Sequence, residues 1–204
     1  MNGQEIEIKL FVRDLDVVEN RLKSMGAELE QPRTHEINLR FDTAESELSK
    51  ANKALRLRSD TKARMTFKGP SVNRGGVRER QEIEFVVDDF HSARAFLEAL
   101  GFRIKLVYEK YRAQYLYQGV RVTLDELPYG KFVEIEGPDP ASIHELCDEL
   151  KLNWENKISE SYVMLFNRLQ RQEGYQVRDL IFENFSDEVI AERDLDLRPA
   201  DDSE

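Results

Sequence analysis

One cysteine, Cys147, and three histidines, His35, His91 and His144, are all that 204 residues supply of the usual soft metal ligands. A lone thiol excludes an intramolecular disulfide framework and fits a reducing compartment. Its apolar, helix-spaced neighbours mark it as a buried structural thiol. A zinc centre is excluded too, because no His-Cys spacing accompanies these few ligands. No apolar run reaches transmembrane length and no leader-like segment is present, so a soluble, cytoplasmic protein without membrane contact is expected. A glycine-rich phosphate loop is also missing; Arg74-Gly75-Gly76 reads as a flexible connection. Nor is there a basic excess. The net charge of −10 and pI near 5.0 argue against nucleic acid or an anionic membrane surface as partner.

Charge of both signs is abundant. Charged residues reach 34% of the chain, above the usual quarter, and 40% hydrophobic content suffices for a full core. The acid is concentrated at the C-terminus, where residues 186–204 hold eight Asp or Glu against Arg193 and Arg198. The body is therefore closer to neutral, and a local basic site remains open to it. One domain is expected over residues 1–172. Residues 173–204 read as an acidic extension, solvated and disordered after about 186.

Along the chain, Glu5-Ile6-Glu7-Ile8-Lys9 alternates strictly and predicts a strand with Ile6, Ile8 and Leu10 on one face. A helix follows, with Asp14 as N-cap, Leu15, Val18, Leu22 and Met25 inward, and Gly26 at its end. Pro32 is expected to break the chain before a strand over 35–42, and residues 43–53 to form a loop with one helical turn. Strands are predicted over 54–59 and 63–68, with Gly69-Pro70 stopping the second and 71–77 forming a mobile loop. The pattern then restarts. A shift of 75 residues lays Ile8 on Ile83, Leu15 on Phe90, Met25 on Leu100 and Gly26 on Gly101, so a strand, helix and three-strand unit is duplicated. Strands near 108–117, 120–124 and 131–137 complete the second copy. Helices are expected over 142–150 and 160–172, and another over 175–185.

Two such units give an α+β fold with a closed antiparallel eight-stranded β-barrel and helices outside. The helices need the apolar strand faces, which leaves the charged faces pointing inward. Burial of so many charges requires mutual pairing, hydration, or bound ligand and metal. Those faces carry Glu5, Glu7, Glu82, Glu84, Glu134 and Glu136, with Asp125 beside them, and Lys9, Arg56, Arg58, Lys68, Arg80, Lys110, Arg112 and Arg121. Carboxylates two apart on a strand project together, and such oxygen ligands suit Mg2+ or Mn2+. Arginine forks and lysines bind phosphate oxygens. Together they are the equipment of phosphoryl transfer.

The ordered set Glu5-Ile-Glu-Ile-Lys9, Arg40-Phe-Asp-Thr43, Leu55-Arg-Leu-Arg58, Thr66-Phe-Lys68-Gly-Pro70, Arg80-Gln-Glu-Ile-Glu84, Lys110-Tyr-Arg112, Asp125, Gly130-Lys-Phe-Val-Glu-Ile-Glu136 and Ser161-Tyr162 resembles the CYTH superfamily, the triphosphate tunnel metalloenzymes. The resemblance implies a tunnel that binds one or two Mg2+ or Mn2+ ions and a small-molecule triphosphate. Glu5, Glu7, Glu134 and Glu136, with Asp125, Glu82 and Glu84, would hold metal; Lys9, Arg56, Arg58, Lys68, Arg80, Lys110 and Arg112 would bind phosphates. Glu5, Glu7, Lys9, Arg58 and Lys68 are the expected catalytic residues, and metal-assisted hydrolysis of inorganic or nucleoside triphosphate the expected reaction. The same family includes thiamine-triphosphate hydrolases and class IV adenylate cyclases, which make cyclic AMP and pyrophosphate from ATP; a non-catalytic polyphosphate or nucleotide-binding module is a further alternative. Relatives often carry a basic residue just before the late tyrosine. Here Glu160 stands there, with Lys157 as the substitute. A monomer or, by the resemblance, a homodimer is expected.

Overall fold

The computed structural model describes residues 3–173, 177–185 and 192–202. Eight antiparallel strands form its wall: β1 (Gly3–Val12), β2 (Glu28–Asp42), β3 (Ala54–Ser59), β4 (Ala63–Arg74), β5 (Val77–Val87), β6 (Arg103–Tyr117), β7 (Val120–Leu127) and β8 (Gly130–Glu136). They close as a barrel in the order β1-β5-β4-β3-β2-β6-β7-β8. The first strand of each duplicated unit lies beside a last strand, β1 against β8 and β5 against β4. Helices α1 (Leu15–Ser24), α2 (Glu47–Lys50), α3 (Phe90–Ala99), α4 (Pro140–Glu149), α5 (Tyr162–Glu173) and α6 (Glu192–Leu195) complete the chain.

The duplicated helices start and stop as their sequences dictate. Asp14 accepts a hydrogen bond from the Asp16 N–H at 2.9 Å, and Asp89 from the Ser92 N–H at 2.6 Å. Gly26 and Gly101 follow at φ +80° and +90°, where a side chain would meet no neighbour; the backbone conformation alone demands glycine. Outward strand residues supply the core. Ile8, Leu10, Val122, Val133 and Ile135 pack with Val18 and Leu22 of α1 and with Ile143, Leu146 and Leu150 of α4. Leu39, Phe41 and Leu57 pack with Leu97 of α3. Each such fully buried side chain contributes roughly 1.5–3 kcal/mol, so the apolar face is fixed outward and the charged face is forced in. Cys147 lies in the first cluster, its thiol donating to the Leu152 carbonyl at 3.2 Å, as a structural thiol should.

Several local expectations are corrected. Pro32 does not break β2; it sits where the pairing with β6 shifts register between Gln31 and Thr34, so its missing N–H disturbs no ladder bond. Gly69-Pro70 likewise occupies a register shift between Lys68 and Ser71, and β4 continues to Arg74. The supposed loop 71–77 is thus the end of a hairpin, turned by Gly75 and Gly76 at φ +62° and +81°. The predicted helix 175–185 is absent where described. Instead Leu180 pairs with β6 in a parallel bridge to Tyr108, and a 3-10 turn covers Phe182–Phe185; residues 174–176 lie outside the described residues. The extension is not a solvated tail either. Residues 186–191 lie outside the described residues, but Leu195 and Ala200 are buried, the Ala200 N–H donates to Phe11 O at 2.8 Å, and the Asp201 carboxylate accepts from the Arg13 and Asp14 N–H groups. Acidic composition misled because Asp201 serves as a strap for unpaired backbone donors.

Candidate active site

Alternation along the strands delivers the charged side chains to one interior. Glu5, Glu7 and Lys9 of β1, Arg56 and Arg58 of β3, Lys68 of β4, Arg80, Glu82 and Glu84 of β5, Lys110 and Arg112 of β6, Arg121 of β7, and Glu134 and Glu136 of β8 all line a single cavity of about 430 Å³. Its wall carries eleven Lys or Arg against seven Glu, so a protein of net charge −10 encloses a net positive chamber. At one end Phe132 and Tyr162 pack edge to face at 5.1 Å, within a cluster that includes Phe11 and Phe166. At the other, Arg121 and Glu136 are about two-fifths exposed.

Acid and base are interleaved. Lys68 Nζ lies 2.8 Å from Glu5 and 2.9 Å from Glu82, while Arg80 donates to Glu5 at 2.7 Å and to Glu7 at 3.4 Å. Lys9 pairs with Glu134 at 3.3 Å and stands 4.0 Å over the Tyr162 ring. Glu84 accepts from Arg58 at 3.1 Å and from the Thr66 hydroxyl at 2.8 Å. Burial works to raise the Glu5 and Glu134 carboxyls, but Lys68 and Arg80 beside the first, and Lys9 and Arg112 beside the second, hold both well below the usual range. Glu7 goes the other way: burial raises it, and neighbouring Glu5 and Glu134 add to that. Glu82 is pushed up to about 7 by burial, with Lys68 opposing and Glu5 reinforcing. The chamber thus holds carboxylates of two kinds, committed anions and groups ready to carry a proton.

Asp125 is the exception among the expected site residues. It is fully buried and absent from the cavity wall. Its oxygens accept from Arg112 Nε at 2.6 Å, from Arg112 Nη2, from Lys110 at 3.1 Å and from the Tyr162 hydroxyl at 2.8 Å. A carboxylate so engaged orients the cations in front of it.

A model of the CYTH domain matches residues 3–162. The chain belongs to the CYTH family. Among solved structures, a candidate adenylate cyclase of Vibrio parahaemolyticus aligns at 21% identity and TM-score 0.73, covering 82% of this chain and 99% of that one. A Pyrococcus horikoshii protein aligns at 25% identity and TM-score 0.66, over 78% and 98% of the two chains. A candidate adenylyl cyclase of Hippeastrum, described as having a dominant triphosphatase activity, aligns at 19% and 0.60, over 80% and 95%. No curated protein matches the sequence significantly. The CYTH fold is thus shared, and the extension beyond residue 162 lies outside the matched domain.

Sequence reasoning missed several members of this CYTH chamber. Glu36, fully buried, lies 3.6 Å from Arg58 and Lys110 and 3.9 Å from Arg112; burial opposes its ionisation, but Lys110 and Arg112 bring its carboxyl down to about 2. Glu36 stands behind the wall, whereas Arg40, Arg64, Arg78 and Tyr108 line it. The signal existed: Glu36-x-Asn38-x-Arg40 has the same period as the other rows, and Arg78 the same parity as Arg80. Lys157, offered in place of Glu160, points elsewhere, 5.0 Å from the Trp154 ring, while Glu160 pairs with Arg168 and gives its carbonyl to Lys9.

The residues present fit a divalent ion by donor chemistry. Glu5, Glu7, Glu82, Glu134 and Glu136 form an all-oxygen set; burial raises Glu7 and Glu136, neighbouring glutamates add to it, and that added crowding is what a cation relieves. Among the described residues no three carboxylates already converge into a ligand cage.

Proposed function

We propose that this CYTH protein hydrolyses a small triphosphate, inorganic triphosphate foremost, with Mg2+ or Mn2+ held by Glu5, Glu7, Glu82, Glu134 and Glu136. The carrying observation is the net positive chamber whose eleven cations are interleaved with carboxylates. In the resting protein the two sets neutralise each other. A triphosphate takes the cations, which frees the carboxylates for metal; the exchange keeps every buried charge compensated. The ion supplies Lewis-acid polarisation of a phosphoryl oxygen. Arg56, Arg58, Lys68, Arg80, Lys110 and Arg112 orient the phosphate chain and stabilise the charge that develops as the terminal bond breaks. Glu36 and Asp125 hold Arg58, Lys110 and Arg112 in place from behind.

Two fold relatives are candidate cyclases, and the wall favours hydrolysis of a compact substrate. Among the described residues its aromatics are Tyr108 and Tyr162; Lys9 stands over the Tyr162 ring, whose hydroxyl donates to Asp125, and the Tyr108 hydroxyl accepts from Arg56 at 3.4 Å. With Lys9 over its ring, Tyr162 is poorly placed to stack a base. Product analysis with triphosphate, ATP and thiamine triphosphate tests this. Orthophosphate is expected, fastest from triphosphate; cyclic AMP with pyrophosphate from ATP would overturn the reading.

A further inference from the structure

Beyond residue 162, where the matched domain ends, the chain returns to the outside of the chamber wall. Residues 199–201 bridge the end of β1 and the stretch 153–156. The Ala200 N–H donates to Phe11 O at 2.8 Å, the Ala200 carbonyl accepts from the Asn153 N–H at 2.8 Å, and the Pro199 carbonyl accepts from the Asn156 side chain at 2.8 Å. Asp201 accepts from the Arg13 and Asp14 N–H groups at 2.9 and 3.0 Å. Leu195 is buried in the cluster that holds Phe11, Phe132 and Tyr162.

One line of contacts runs from this extension to Lys9. The Lys9 ammonium, buried in the wall, meets the Glu134 carboxylate at 3.3 Å, stands 4.0 Å over the Tyr162 ring and donates to the Glu160 carbonyl at 3.2 Å. Two of these contacts come from the turn that opens α5. Glu160 also accepts, through its carboxylate, from Arg168 Nη1 at 2.8 Å, while Arg168 Nη2 donates to the Leu195 carbonyl. The Arg168 and Glu160 side chains are 22% and 29% exposed, so this pair is better shielded than a surface ion pair. The extension therefore holds Arg168, Arg168 holds Glu160, and Glu160 holds Lys9. A lysine side chain carries about 2 kcal/mol of rotamer freedom, so its ammonium keeps one position only where such partners fix it.

We propose that the C-terminal extension is a latch that sets the position of Lys9 in the chamber, with Arg168 as its positioning residue. Its geometry stands on the contacts alone; its consequence rests on the triphosphate reading, because a phosphate oxygen then meets an ammonium already in place, and misplacement by about 1 Å can cost up to ~100-fold in rate.

The test labels the full chain briefly with an amine-acylating reagent and reads Lys9 and Lys68 separately by peptide mass spectrometry. Lys68, held by Glu5 and Glu82, is the internal control. Arg168→Gln should raise Lys9 labelling about tenfold, the factor that one charge-assisted hydrogen bond supplies, and leave Lys68 unchanged. Arg168→Lys, which keeps the charge opposite Glu160, should restore most of the protection, and Asp201→Ala, which frees the far end of the latch, should raise Lys9 labelling in the same sense. For inorganic triphosphate with Mg2+, Arg168→Gln should raise KM about tenfold with a smaller change in kcat. Lys9 labelling unchanged in Arg168→Gln, or Lys9 and Lys68 rising together as general loosening would make them, would overturn the latch. The hydrolase reading fails separately: Lys9 exposed by Arg168→Gln, with no phosphate release by the wild type, refutes hydrolysis and leaves the latch standing. Phosphate release whose KM is unmoved by Arg168→Gln does the reverse.

Discussion

Replacing Asp125 by Asn separates a strut from a metal ligand. The change keeps the shape and removes one fully buried negative charge that meets Arg112 twice, Lys110 and Tyr162. Breaking a buried ion pair costs about 3–5 kcal/mol. Here Lys110 and Arg112 keep Glu36 at 3.6 and 3.9 Å, and Arg112 keeps Glu134 at 2.7 Å, so the lower end, about 3 kcal/mol, is expected. For a chain of this length that corresponds to a fall in melting temperature of roughly 6–12 °C. Urea unfolding and a thermal melt measure it; kinetics against triphosphate at varied metal measure the rest. With Lys110 and Arg112 no longer held, KM for triphosphate should rise about tenfold or more, at an unchanged metal requirement. A variant as stable as the wild type that needs far more metal would refute the strut and restore Asp125 as a ligand.

Glu36 sets the acid limb of stability. Its folded carboxyl, brought down to about 2 against burial by Lys110 and Arg112, contributes stability that is present above the unfolded value of 4.5 and is lost as pH falls from there towards 2; Glu36→Gln should flatten the urea midpoint over that window. Cys147, with burial raising its thiol to about 12, should resist a thiol reagent in the native state and react on unfolding; prompt native labelling would contradict its place on the buried face of α4. Asp201→Ala removes the acceptor for two N–H groups at the β1 exit and should lower stability by about 1–3 kcal/mol by denaturant titration; no change would mean the strap is not closed in solution.

Much of this architecture was legible because its periods are simple. A two-residue alternation in Glu5-Ile-Glu-Ile-Lys9, repeated in six further strands, specifies an inward charged row, and the 75-residue echo specifies closure. What escaped depended on tertiary context. Pro32 and Gly69-Pro70 were read as breakers, yet both fall at register shifts of the ladder, where a missing N–H goes unnoticed. Arg78 was missed because the charged row of β5 was begun at Arg80, after a loop read over 71–77, whereas the strand starts at Val77. Asp125 has the same parity as Thr123, but the side chains of Arg112, Lys110 and Tyr162 interpose between it and the cavity, and no local pattern encodes that. Leu180 pairs with β6 through backbone groups whose availability only the folded barrel reveals. The acidic extension was misjudged for the same reason, since composition cannot say which aspartate finds a free N–H.

The central claim is that cations and carboxylates of one chamber divide a triphosphate and a divalent ion between them. Orthophosphate release from inorganic triphosphate by the purified chain, measured with and without Mg2+ or Mn2+ and beside Lys68→Gln and Glu134→Gln, tests it most directly. The account predicts release only with metal, suppressed by Lys68→Gln through weaker triphosphate affinity and by Glu134→Gln through a higher metal requirement. Release that persists in EDTA, or that both variants leave intact, would contradict it.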